Sequence, residues 1–169
     1  KQGKARFIGV STHVNEPEVI RAAADSKVYD VVLTAYNFRQ PHRQEIKKAI
    51  AHAAGAGLGI IAMKTQAGVY WDKERQEPIN MTAALKWALQ SEHIHTAIPG
   101  FTTFDQLKLD LSVMEDSTLT SEEIADLKLE GAEEETDEIW GTLFSKKYPR
   151  IVRLGKIYMD AIPGGSMII

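Results

Sequence analysis

Cysteine is absent from the 169 residues, and this one gap removes disulfides, thiol nucleophiles, iron–sulfur ligation and cysteine-type zinc sites together. No apolar run approaches the ~18 residues that a membrane-spanning helix needs. The opening residues KQGKARF do not resemble a secretory signal. A positive excess is missing too, because 20 Lys and Arg against 23 Asp and Glu leave a formal net charge of −3. That balance offers no broad attraction to nucleic acid or anionic lipid, so neither partner is expected. Reducing, cytoplasmic surroundings are expected. No GxGxxG turn follows the first strand-like run, which removes the usual dinucleotide fingerprint of open doubly wound sheets.

What is present is ordinary globular composition, 44% apolar and 25% charged, enough for one domain with a sizeable core. Four short β-branched or apolar runs read as buried strands: FIGVS from Phe7, VVLTAYN from Val31, GIIAMK from Gly59 and TAIPG from Thr96. They are mostly continuous rather than alternating, the pattern of parallel strands covered on both faces. Helical periodicity follows each one, in PEVIRAAADS, RQEIKKAIAHAAGAG, MTAALKWALQSEH and FDQLKLDLSVM. Asn15 stands at the expected start of the first helix. Thr103 with Gln106, and Thr120 with Glu123 ahead of SEEIADLKLEG, have capping-box spacing.

The resulting βαβαβαβα order predicts an α/β fold with a parallel sheet. Each strand ends in a loop bearing polar or glycine residues, which suits the functional rim of a barrel. A full (β/α)8 barrel of the TIM type has about 250 residues, so four βα units over residues 1–130 correspond to half of one. Residues 131–169 begin acidic (EEETDE), turn aromatic and basic, and end in PGGSMII. They read as a helical or partly ordered tail, its basic segment a solvated amphipathic helix.

These residues resemble the aldo-keto reductases. GKARFIGVSTH resembles the family's fifth-strand motif, YDVVLTAYNF its sixth and GLGIIAMKTQAG its seventh. AALKWALQSEHIHTAIPGFTTFDQLKLDL resembles its seventh helix, eighth strand and eighth helix. The likeness runs from about Gly3 to Glu123, four motifs in order and at the right spacing. It implies the C-terminal half of the barrel. Relatives with the AMK seventh strand often continue into a cysteine-rich ferredoxin-like tail; here, without cysteine, no cluster is expected.

The resemblance also implies chemistry. The family transfers a hydride from NADPH or NADH to an aldehyde or ketone, with a tyrosine as general acid tuned by a lysine and an aspartate, and a histidine near the carbonyl oxygen. All four belong to the first half of the barrel, and none maps onto this chain. What maps is part of the NADP- or NAD-binding side. Ser11 matches the serine that holds the nicotinamide carboxamide, while Thr12 and Leu33 replace the usual asparagine and glutamine. Met63 takes the place of the aromatic that stacks on nicotinamide. Lys64 and the loop through Gly68 would approach the pyrophosphate.

Gly100, Phe101, Thr102 and Thr103 would lead phosphate to a helix amino end. Gly100 and Gln106 replace the lysine and arginine that hold a 2′-phosphate, and Asp110 replaces an asparagine that meets adenine. Each of these residues also has a plain structural reading, as a strand-end serine, a core methionine, a rim lysine or a capped turn. His93 and His95 share a strand face but lack a third ligand, so no metal is expected. His13 reads as a solvated rim residue. The expected function is a fragment of an NAD(P)H-dependent carbonyl reductase, inactive by itself and requiring the N-terminal half of the barrel. Two alternatives stay open: a non-catalytic nicotinamide-binding regulatory subunit, or a stand-alone phosphate-binding half barrel that dimerises.

Overall fold

A computed structural model describes residues 3–129; the expectation of a helical tail over 131–169 lies outside the described residues. All four expected strands form: β1 (Gly9–Thr12), β2 (Val31–Ala35), β3 (Gly59–Met63) and β4 (Thr96–Ile98). They make one sheet in the order β1-β2-β3-β4, and every neighbouring pair is parallel. Sequential order without reversal is the arrangement of a barrel wall, since doubly wound sheets reverse at a switch point.

Local chemistry sets the strand limits. A Cβ on Gly9 would stand 3.2 Å from the Val31 carbonyl oxygen, so the β1–β2 approach favours glycine there. β4 stops at Ile98 because Pro99 has no N–H to give to a ladder. Helices α1 (Glu16–Ser26), α2 (Arg43–Gly55), α3 (Met81–Leu89) and α4 (Phe104–Ser112) follow the strands in turn, and α5 (Ser121–Asp126) comes last.

α1 ends at Ser26, as the periodicity predicts, whereas α2 to α5 are shorter at their carboxyl ends than their runs, because the last residues of those runs close turns instead of continuing. Both capping boxes form. Asn15 occupies the N-cap of α1 but sits in the left-handed region (φ 53) and makes no side-chain cap bond. Asn80, a cap the periodicity did not single out, accepts from the Ala83 N–H at 3.0 Å.

The sheet has two unlike faces. Val10, Val32, Ile60, Ala62 and Ala97 pack with Ile20, Ala23, Ile46, Ile50, Ala53 and Ala88 of α1, α2 and α3, and Val32, Ile60 and Ala62 are wholly buried. The alternate row, Ser11, Leu33, Ile61 and Thr96 in register, lies on the opposite face, as do Met63 and Ile98 one step on. None of those six is buried, and Ile98 is 51% exposed. Continuous apolar strands predict cover on both faces, but among the described residues only one face is covered.

A second cluster, Phe38, Ile79, Ala83, Ala84 and Leu127, seats α5 against α3. Lys86 and Glu123 close that contact at 2.8 Å with both side chains largely out of water. Burial pushes the Glu123 carboxyl up, but the hydrogen bonds from Lys86 and the Thr120 N–H outweigh it and leave it below its ordinary range. No helix among the described residues is long and apolar enough to cross a membrane.

Candidate functional site

The loops after all four strands gather at the carboxyl end of the sheet, where parallel α/β folds place their sites. A cavity of about 760 Å³ opens there between β2, β3, β4 and their loops, within the range of pockets that hold cofactors. Of the residues nominated from the sequence, Met63, Lys64, Gly68 and Gly100 line it, together with Asn37, Arg39, Gln40, Gln66 and Ile98. Ser11, Thr12, Phe101, Thr102, Gln106 and Asp110 are not in its lining.

Ser11 is exposed on the bare face of the sheet, in register with Leu33. Thr12 points the other way, is 7% exposed, and donates its hydroxyl to the Val14 carbonyl at 2.7 Å. Phe101, Thr102 and Gln106 lie at the start of α4, beyond the cavity. There Gln106 Oε1 accepts from the N–H groups of Thr102 at 2.7 Å and Thr103 at 3.2 Å. Asp110 faces the loop after β3, where its Oδ1 accepts from Gln66 Nε2 at 2.9 Å. Its Oδ2 is out of solvent and has no hydrogen-bond partner among the described residues. Burial raises the Asp110 carboxyl above its ordinary value, and the Gln66 hydrogen bond only partly offsets that.

Asn37 organises the rim. Its Nδ2 donates to the Lys64 carbonyl at 3.1 Å, and its Oδ1 accepts from the Arg39 N–H at 3.1 Å. Its own N–H donates to Gln40 Oε1 at 2.9 Å, and Gln40 Nε2 donates to Glu16 Oε1 at 3.1 Å. Glu16, 3% exposed, also meets the His42 ring at 3.0 Å. One polar chain thus joins the loops after β1, β2 and β3. The loop after β3 bends sharply, with Lys64 (φ 55), Ala67 (φ 57) and Gly68 (φ 101) in the left-handed region, a conformation that costs the two non-glycine residues energy unless neighbours hold it.

Asn37, Arg39, Gln40 and Gln66 were not nominated from the sequence. The available signal was position: each follows the end of a buried strand and is polar. Two other groups have structural partners. His95 Nδ1 accepts from the Ile60 N–H at 2.9 Å, and His93 lies 3.5 Å from Glu92. No group of side chains that could hold a metal ion occurs among the described residues. Tyr36, just before Asn37, is a core residue. It lies 5.0 Å from the Trp87 ring, and burial pushes its phenol up to about 12 against a smaller lowering by Arg43.

The parallel sheet, its alternating helices and its rim cavity define half of an α/β barrel of the aldo-keto reductase type. Two solved structures carry that likeness, both of aldo-keto reductase AKR11C1 from Bacillus halodurans. The holo form is 18% identical, with a TM-score of 0.54 over 73% of this chain and 49% of that chain. The apo form is 17% identical, with a TM-score of 0.53 over 73% and 50%. At such identity the likeness is one of fold. The chain spans about half the length of the solved structures it matches. No protein-family model matches the chain, and no curated protein does.

Proposed function

We propose that this chain is the cofactor-side half of an NAD(P)H-dependent oxidoreductase that reduces aldehydes or ketones, with the proton-donating residues supplied by the other half of the barrel. The observation that carries the proposal is the cavity at the carboxyl ends of β2 to β4, beside the bare face on which Ser11 and Met63 stand. In this reading Ser11, with Thr12 behind it, orients the nicotinamide amide. Met63 lies against the ring through its polarizable thioether. Lys64 and the Gly68 turn receive the diphosphate, and Gly100, Phe101, Thr102, Gln106 and Asp110 border the adenosine end.

The residues fit such a group at two points. Asp110 Oδ2 is a buried acceptor without a donor among the described residues, the complement of an amino group on a purine. Lys64 has no carboxylate partner among the described residues. When bound, the nicotinamide supplies the hydride; the chain's own part is to hold it in one orientation and to keep the bare face of the sheet dry once the barrel is closed.

The test joins this chain to an amino-terminal half barrel from the same source. Binding should quench NADPH or NADH fluorescence, and the assembled protein should oxidise the cofactor in the presence of an aldehyde, while the 169-residue chain alone should not turn over. An assembled protein that binds neither cofactor would sink the reading. The bare face also favours a second reading, two copies closing into one eight-stranded barrel. Sedimentation of the isolated chain decides between them, because a stable compact dimer supports the second.

A further inference from the structure

We propose that Glu16, which does not line the cavity, is the positioning residue of its rim: through Gln40 and Asn37 its carboxylate sets the turn after β3 in the form that receives a ligand. This rests on the proposed function only in taking the cavity as the ligand site.

Helix α1 alone does not account for Glu16. An acid in the first turn complements the helix dipole from the surface, as the exposed Glu18 does, but Glu16 is 3% exposed. Two carboxylate–histidine pairs join α1 to α2 and its N-cap, and they differ in the same way. Asp25 and His52 meet at 2.8 Å with side chains 70% and 50% exposed, a setting in which an ion pair contributes little. In the other pair the Glu16 side chain is 4% exposed and lies 3.0 Å from the His42 ring. A buried carboxylate is costly where an apolar side chain would fill the same space. Its oxygens therefore have a task that shape alone does not perform.

That task is direction. A carboxylate only accepts, so Glu16 Oε1 draws the Nε2 end of the Gln40 amide, at 3.1 Å, and turns the Oε1 end toward the Asn37 N–H, at 2.9 Å. Asn37, 8% exposed, is thereby seated with its own Nδ2 on the Lys64 carbonyl at 3.1 Å. The same carbonyl accepts from the Ala67 N–H at 3.1 Å and closes the turn in which Lys64 and Ala67 are left-handed. Gln40, Asn37, Lys64 and Ala67 all line the cavity. Every link from Glu16 to that turn is a hydrogen bond of ordinary length.

Hydrogen exchange of the 169-residue chain tests the relay without a ligand. Glu16→Leu, which keeps bulk and removes the acceptor, should raise exchange at the Asn37 and Ala67 amides about tenfold or more, while the Val32 and Ile50 amides of the core stay as they are. Glu16→Gln retains an acceptor and should move them less, and Asp25→Asn should move neither. A double-mutant cycle gives a readout that general loosening does not mimic: in a Gln40→Leu background, Glu16→Leu should add nothing at Ala67. Additive effects, or Ala67 exchange unmoved by Glu16→Leu, would overturn the proposal. Should Glu16→Leu unfold the chain, Gln40→Leu at the half-buried rim carries the test, and an Ala67 amide that ignores it is equally fatal.

In the assembled protein, Glu16→Leu should weaken NADPH or NADH binding about tenfold, since the cavity is no longer organised in advance, and Glu16→Gln should restore part of the loss. Binding unmoved by Glu16→Leu would end the positioning role. An assembled protein of unchanged sequence that binds neither cofactor, with exchange responding as expected, would leave the relay standing and remove the oxidoreductase reading.

Discussion

Ile60 and Ile61 are the same residue type, side by side in β3, and they live in different surroundings. Ile60 is wholly buried under α1, α2 and α3, whereas Ile61 stands half-buried on the face that no described element covers. The same division separates Val32 from Leu33 and Ala62 from Met63. One side of this sheet is a finished core, and the other is a surface with the composition of a core. In a closed barrel the two sides differ little in burial, since side chains from opposite strands fill the interior. The difference therefore marks which part of the fold the described residues complete and which part they leave open.

The sharpest way to break that comparison is to shorten both isoleucines. Ile60→Ala should destabilise the chain by roughly 2 to 5 kcal/mol, the usual loss for a buried aliphatic with its cavity. Ile61→Ala should lose roughly half as much or less, in proportion to its smaller burial. Denaturant unfolding of the two variants checks this, and equal losses in the lone chain would mean that the bare face is already covered. Closing the barrel should raise the Ile61 value toward that of Ile60.

The dry side can be probed next through Tyr36. Its phenol ionises near 10 in an unfolded chain and is raised to about 12 in the fold, chiefly by burial. Unfolding between those values releases a proton, so the stability is fully present below pH 10 and falls as pH rises toward 12. The two-unit difference corresponds to roughly 2 to 3 kcal/mol. Tyr36→Phe should flatten that decline, and a decline that persists unchanged in the variant would place its cause elsewhere.

The smallest expected effect lies at the rim. Burial holds the Asp110 carboxyl above its ordinary range, so its ionised form is penalised in the fold, and stability falls as pH rises through the carboxylate range. Asp110→Asn should remove that penalty, a gain under about 1 kcal/mol at neutral pH because the side chain is partly solvated. The gain should vanish as pH drops below ~4. Melting curves at pH 7 and pH 3.5 measure both; a gain equal at the two values would show that charge is not the cause.

Local features of this protein are legible in the order of its residues. The four strands, their parallel order and both capping boxes depend on neighbours a few positions away, through apolar runs, hydrophobic period and the Thr-x-x-Gln and Thr-x-x-Glu spacings. Asn15 shows the limit of such reading, for its residue type suits a cap while its backbone carries it into the left-handed region. The rim was partly legible. Met63, Lys64, Gly68 and Gly100 stood out as strand-end residues, but nothing near Asn37 in the sequence announces that its amide spans 27 positions to the Lys64 carbonyl.

Sequence by itself thus determined the α/β class and the βα order, because these follow from period and propensity; the strands end a residue or two away from the ends of the apolar runs. Only the tertiary structure decided which strand face is dry, that Thr12 turns toward the helices while Ser11 turns away, and that Arg39 and Lys64 line one cavity with no carboxylate among its described lining residues. Pleat direction and loop convergence depend on how distant segments stack against one another, and that information is not present in any short stretch of the chain.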